Sequence, residues 1–175
     1  MNQRQSGMTV LELLITLLLA ALVFGLALPE FIQMVANSRI RSELDALFHA
    51  VHLARKESIM RRSVVTLCPS ADFVSCSEHW GNGWILFNNR DGDQPAVRDV
   101  DEPLLLVHRT HPSVKLAVNR QSFTLRATQK RATNGTVIVC DLAARVPPRA
   151  LVVSYTGRPR VARLDRRGNP YVCPD

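Results

Sequence analysis

A chain of 175 residues, 46% hydrophobic and 21% charged with a formal net charge of +7, has apolar matter for one packed core and too little length for several domains. It shows no internal repeat and no disordered linker, which excludes a repeat array. Its excess of base over acid points toward anionic partners such as nucleic acid or lipid headgroups.

Residues 1–7 form a short polar leader, followed by Met8-Thr9-Val10-Leu11-Glu12 and then an uncharged apolar run over 13–29. That run approaches the roughly 20 residues needed to span hydrocarbon. A carboxylate at the mouth of such a run is costly unless something pairs with it, so Glu12 demands an explanation. An ordinary secretory signal peptide would need a small-residue cleavage site, yet Pro29-Glu30-Phe31 follows. A plain signal anchor is the other alternative.

Beyond Pro29 the apolar residues Phe31, Val35, Ile40, Leu44, Leu47, Phe48, Val51, Leu53 and Ile59 recur at helical spacing among charged residues. The pattern predicts one helix from about Thr9 to Met60, roughly 75 Å long at ~1.5 Å per residue. Pro29 inside it is expected to bend or locally open the helix. Arg61-Arg62 suits the C-terminal end of the dipole. His49 and His52 have a ligand-like spacing but no companion carboxylate-histidine set, so they are read as packing or solvated residues.

After Ser63 the period changes from 3.6 to 2. Strands are expected at 64–67, 84–87, 104–108, 114–118, 122–127, 136–140, 151–155 and 161–164. Turn signals divide them at Gly81-Asn82-Gly83, Asp91-Gly92-Asp93, His111-Pro112, Asn134-Gly135 and Pro147-Pro148. The fold class is therefore α+β: a long N-terminal helix packed against a mostly antiparallel sheet. Four segments follow: 1–7, 8–29, 30–62, and a β-rich head at 63–175.

Charge is unevenly placed. Residues 66–104 hold 2 basic and 7 acidic groups, net −5, whereas residues 105–175 hold 13 and 3, net +10. Seven arginines, Arg145, Arg149, Arg158, Arg160, Arg163, Arg166 and Arg167, lie between Ala144 and Gly168. Arginine's planar donors grip two phosphate oxygens at once. In Gly157-Arg158-Pro159-Arg160, glycine permits a tight turn and proline stiffens the segment between two cations. Arg158 and Arg160 could share one exposed side as a phosphate clamp. Tyr155 and Tyr171 are the nearby aromatics, too few for extensive base stacking, so the pattern favours backbone contacts without sequence preference. A nucleic-acid surface, a subunit-docking or lipid-headgroup surface, and plain solvated charge remain three possible uses.

The order of polar leader, Gly7, Glu12 and apolar helix resembles the class III leader of type IV pilins and type II secretion pseudopilins. The resemblance implies that a prepilin peptidase cuts between Gly7 and Met8 and methylates the new N-terminus. Glu12 then becomes the fifth residue of the mature chain, paired with the terminal ammonium of a neighbouring subunit in the filament. Gly83-Trp84-Ile85-Leu86-Phe87 with the 88–93 loop, Leu104-Leu105, the segment 135–140 and Ser154-Tyr155-Thr156-Gly157-Arg158 resemble the group of H-type pseudopilins and the minor pilins FimU and FimT. In the FimT branch a Gly-Arg-x-Arg motif contributes to DNA binding during natural transformation. That role would fall here on Gly157, Arg158 and Arg160, with Arg163, Arg166, Arg167 and Arg149 as further candidate contacts. The alternative within the same group is a structural minor pilin or H-type pseudopilin that primes filament assembly. Either way the resemblance implies other pilins or pseudopilins as partners, an inner-membrane anchor and a periplasmic head.

Cys68, Cys76, Cys140 and Cys173 include no CxxC pair, and a head exported across the inner membrane would carry disulfides. Three pairings exist and sequence does not choose; Cys68–Cys76, closing a small loop, and Cys140–Cys173, tying down the tail, are the expected ones. The chain has no phosphate-loop glycine-lysine motif, no metal-ligand cluster and no nucleophile-base-acid set, so neither an enzyme nor a cofactor is expected. Asp91-Gly92-Asp93 lacks a full EF-hand ligand pattern and is read as a turn.

Overall fold

The computed structural model describes residues 9–127 and 132–174. The leader with Gly7, and Met8 after it, lie outside the described residues, as does Lys130. Helix α1 (Val10–Arg61) is 52 residues long, about 78 Å at ~1.5 Å per residue. Thr9 caps it: its hydroxyl accepts from the Glu12 backbone N–H at 3.3 Å, satisfying one of the orphan donors of the first turn. The helix runs unbroken through Pro29: of the bend or local opening expected there, no opening occurs. It ends at Arg62, whose left-handed backbone (φ 51°) terminates the turn.

The two halves of α1 meet different surroundings. Leu14, Leu17, Leu18, Phe24, Leu28 and Phe31 are all exposed, and among the described residues this is the one helix long and apolar enough to cross a membrane. From Ala36 onward one face is buried: Ala36, Ile40, Leu44, Leu47, Ala50, Val51 and Ala54 are each at most 2% exposed. The three alanines let the head approach the helix axis closely, and the larger residues fill the gaps between strands.

The head contains eight strands: β1 (Val64–Pro69), β2 (Gly83–Asn89), β3 (Leu104–Arg109), β4 (Val114–Val118), β5 (Phe123–Leu125), β6 (Gly135–Asp141), β7 (Arg149–Val153) and β8 (Pro159–Ala162). Every expected strand is present, within a few residues of its anticipated bounds. They do not form one sheet. The orders are β3-β2-β1-β5 and β4-β6-β7-β8, all pairs antiparallel. The chain crosses between sheets at β3–β4, β4–β5 and β5–β6, so the two sheets share one core over α1: Val65, Leu67, Trp84, Leu86, Phe123 and Leu125 from the first, Val137, Val139, Leu151 and Val153 from the second.

A buried carboxylate fixes the helix to the head. Glu43, 5% exposed, receives the His111 backbone N–H at 2.8 Å and lies 2.8 Å from His108 Nε2. His108 stacks on Trp84 at 4.8 Å between ring centroids. His52 packs on Phe48, in keeping with a packing role.

Both disulfides pair as expected, Cys68–Cys76 and Cys140–Cys173, with Cα–Cα distances of 5.6 and 6.0 Å.

Candidate nucleic-acid interface

Five residues, 154–158, connect β7 to β8. Gly157 N–H donates to the Ser154 carbonyl at 2.9 Å and Ser154 N–H to the Arg158 carbonyl at 3.0 Å. Gly157 closes the turn at φ +73°, a conformation glycine adopts without cost. Space is also tight, because a Cβ there would stand 3.1 Å from Leu125 Cδ2. The Ser154 hydroxyl accepts the Arg158 N–H at 3.1 Å. Pro159, which lacks a donor, is accommodated because β8 is an edge strand.

A second turn of the same design follows. Asp165 N–H donates to the Asn169 carbonyl at 2.8 Å, Gly168 N–H to the Asp165 carbonyl, and Gly168 has φ +84°. Asp165 Oδ1 accepts the Arg167 and Asn169 N–H groups at 2.8 and 2.9 Å. These bonds, the Asn169 N–H foremost, hold the Asp165 carboxyl below its usual range. The turn therefore presents Arg166 and Arg167 at its tip.

Strand register decides which way the arginines face. Arg160 pairs with Val152, and Val152 with Thr136. These three form a row on the face opposite Val137, Leu151 and Val153, which sit in the core against α1. Cys140 belongs to that outer face by the same alternation, and its bond to Cys173 lays the C-terminal tail across the sheet. Lys115 Nζ fastens the tail further by donating to the Pro174 carbonyl at 2.7 Å. Between tail and sheet opens a cleft of about 410 Å³, lined by Arg120, Arg160, Arg166, Arg167, Asp165 and Tyr171 among others.

The seven arginines singled out in the sequence therefore divide. Arg160, Arg166 and Arg167 line the cleft; Arg158, exposed on the hairpin, and Arg163 do not. Arg149 turns toward the helix, donating to Asn37 Oδ1 at 3.1 Å. Burial, then the positive charges of Arg163 and Arg41, push its pKa down. Arg145 is engaged by Asp141, which is 7% exposed and accepts from its Nε at 2.8 Å and its backbone N–H at 3.0 Å. Arg145's side-chain bonds hold the Asp141 carboxyl low. Among the described residues no ion pair or side-chain hydrogen bond engages Arg158, Arg160, Arg163, Arg166 or Arg167.

Arg120 was not among the sequence candidates, since it lies in the β4–β5 turn, far from the arginine-rich segment. Gly135, read from sequence as a turn signal and as the start of the 135–140 segment, borders it: a Cβ there would approach Arg120 Cγ and Asn119 Oδ1 at 2.7 Å each. Trp80 is buried beneath the same turn, its Nε1 donating to the Arg120 carbonyl at 3.1 Å. Glu12 is exposed on the apolar half of α1.

Residues 43–157 match the family described as Type II transport protein GspH. No curated protein matches the chain. Two crystal structures of the type IV minor pilin FimU from Pseudomonas aeruginosa share the fold. One aligns with a TM-score of 0.54 at 18% identity, covering 72% of this chain and 90% of that one. The other, in a second crystal form, aligns at 0.50 with 20% identity, covering 72% and 91%. With more than half its length matched, from the middle of α1 to the glycine of the β7–β8 turn, the chain belongs to the GspH family of minor pilins and pseudopilins.

Proposed function

We propose that this GspH-family chain is a minor type IV pilin that binds extracellular duplex DNA without sequence preference and supports DNA uptake in natural transformation. The observation that carries this reading is the set of five exposed arginines, Arg158, Arg160, Arg163, Arg166 and Arg167, none held by an acidic partner among the described residues. Two glycine-closed turns fix the backbone that bears Arg158, Arg166 and Arg167, and strand β8 fixes that of Arg160, which reduces the entropy lost when a phosphate is gripped. Contacts of this type neutralise backbone charge and release counterions, so binding weakens steeply with salt.

In this reading prepilin peptidase removes residues 1–7 and methylates Met8, and the apolar half of α1 holds the protein in the bacterial inner membrane with the head in the periplasm. During incorporation into the pilus, alongside other major and minor pilins, Glu12 pairs with the terminal ammonium of a neighbour. Low dielectric strengthens that pair and penalises any register that leaves either charge alone. The test is duplex binding by the detergent-solubilised chain with Arg158→Gln and Arg160→Gln together. Affinity and salt dependence should both fall while unfolding is unchanged; a variant that binds as well as the original at several salt concentrations contradicts the reading.

The family match and the likeness to FimU also support a structural role, in which the chain primes assembly of a pilus or a type II secretion pseudopilus. Normal filament assembly with failed DNA uptake in the same double variant separates the transformation role from this one.

A further inference from the structure

We propose that the cleft between the C-terminal tail and the outer face of β6–β8 is the seat of one backbone phosphate of the duplex, with Arg120 as its fourth cationic wall. The proposal rests on the DNA-binding reading and specifies which groups do the gripping. Three parts of the chain supply them: Arg160 from β8, Arg166 and Arg167 from the tail turn, and Arg120 from the turn after β4. No stretch of sequence contains all four.

Arg120 is built into position rather than scattered on the surface. Trp80 Nε1 donates to its carbonyl at 3.1 Å, and its own Nε donates to the Asn134 carbonyl at 2.8 Å. Asn119 Oδ1 accepts the Thr136 N–H at 2.8 Å, tying the turn to β6. Gly135 leaves the room that the Arg120 stem occupies. With Nε engaged by a carbonyl, the terminal guanidinium nitrogens remain for an anion, in the fork geometry that suits phosphate.

Asp165, the one carboxylate lining the cleft, does not cancel this charge. Its Oδ1 is occupied by two backbone N–H groups, and four arginines line the same cleft. At about 410 Å³ the cleft falls in the range of ligand-binding clefts. It also opens on the side of the second sheet away from α1. Helices bundled in a filament core therefore leave it open to the outside.

The experiment measures binding of a random-sequence duplex to the detergent-solubilised full chain across a salt series, comparing Arg120→Gln with Arg109→Gln. Arg109 lies over the Phe73 ring on the other sheet and controls for loss of one positive charge. Arg120→Gln should weaken binding about tenfold and make the slope of log affinity against log salt shallower by about 0.9. Arg109→Gln should do neither. Gly135→Ala, which pushes a methyl into the Arg120 stem, should weaken binding in the same direction with Arg120 itself retained. If the parent binds duplex and Arg120→Gln matches it, or if Arg109→Gln weakens binding as much, the cleft assignment is overturned while the DNA-binding reading stands. If the parent binds no duplex at low salt, both fall.

Discussion

In the acidic stretch at 66–104 the carboxylates of Asp72, Asp93 and Glu102 are consumed by the fold, whereas in the basic stretch at 158–167 the guanidiniums are held out from it. Asp72 accepts from Val74 N–H, Ser75 N–H and the hydroxyls of Ser70 and Ser75, and these bonds pull its pKa well below the carboxylate range. Glu102, 2% exposed, takes the backbone N–H groups of Arg90 and Asp99. Asp93 bridges Asn89 and Val97. Each of these carboxylates replaces a backbone pairing that an irregular loop cannot make. The arginines of the tail replace nothing. Their turns are completed by Ser154, Asp165 and two glycines, so the side chains are spare. Two stretches of opposite sign thus separate structural charge from available charge.

Ranked by effect on stability, four perturbations sharpen that contrast. Replacing Cys140 and Cys173 together with alanine opens a loop spanning 33 positions and should cost about 2–5 kcal/mol. It also frees the tail, so duplex affinity should fall with it, as urea unfolding and a binding titration would show. Glu102→Ala removes the acceptor of two part-buried N–H groups and should cost about 1–3 kcal/mol; duplex affinity of the folded protein should be unchanged. Asp141→Asn removes the charged acceptor of Arg145 and should cost about 1–2 kcal/mol at neutral pH. Because Arg145 holds this carboxyl low, the contribution is complete above the unfolded carboxylate value near 4 and is lost as pH falls through the lower folded value. The stabilities of Asp141→Asn and its parent should therefore converge only on strong acidification. Arg166→Gln with Arg167→Gln should move stability by no more than about 0.5 kcal/mol yet make the salt slope shallower by about 1.8.

Much of the fold was legible in the sequence because its signals are local. The period change at Ser63 marks the helix end, and paired turn residues delimit the strands. The cysteine pairing was not decided by spacing alone, though the expected one holds. The division into two sheets was not legible, since it depends on which edges meet: β5, only three residues long, leaves its sequence neighbours β4 and β6 to pair with β1. Nor did the helical pattern disclose that Ala36, Ala50 and Ala54 form the contact face, because alanine carries little hydrophobic signal. Phe31, which has the right spacing, is 61% exposed because the head begins above it. In the candidate interface, composition marked the arginine-rich segment but could not separate Arg145 and Arg149, engaged by Asp141 and Asn37, from those left available. Arg120 escaped because register and a buried tryptophan, not proximity in sequence, bring it to the cleft.

The most direct test replaces Arg158, Arg160, Arg163, Arg166 and Arg167 together with glutamine in the full solubilised chain and follows duplex affinity from low to high salt beside the parent. The account predicts a parent whose log affinity falls linearly with log salt and a variant, equally resistant to urea, with no measurable binding at physiological salt. A variant that keeps the parent's affinity and slope, or one that fails to fold, would contradict the claim that these five charges are available rather than structural.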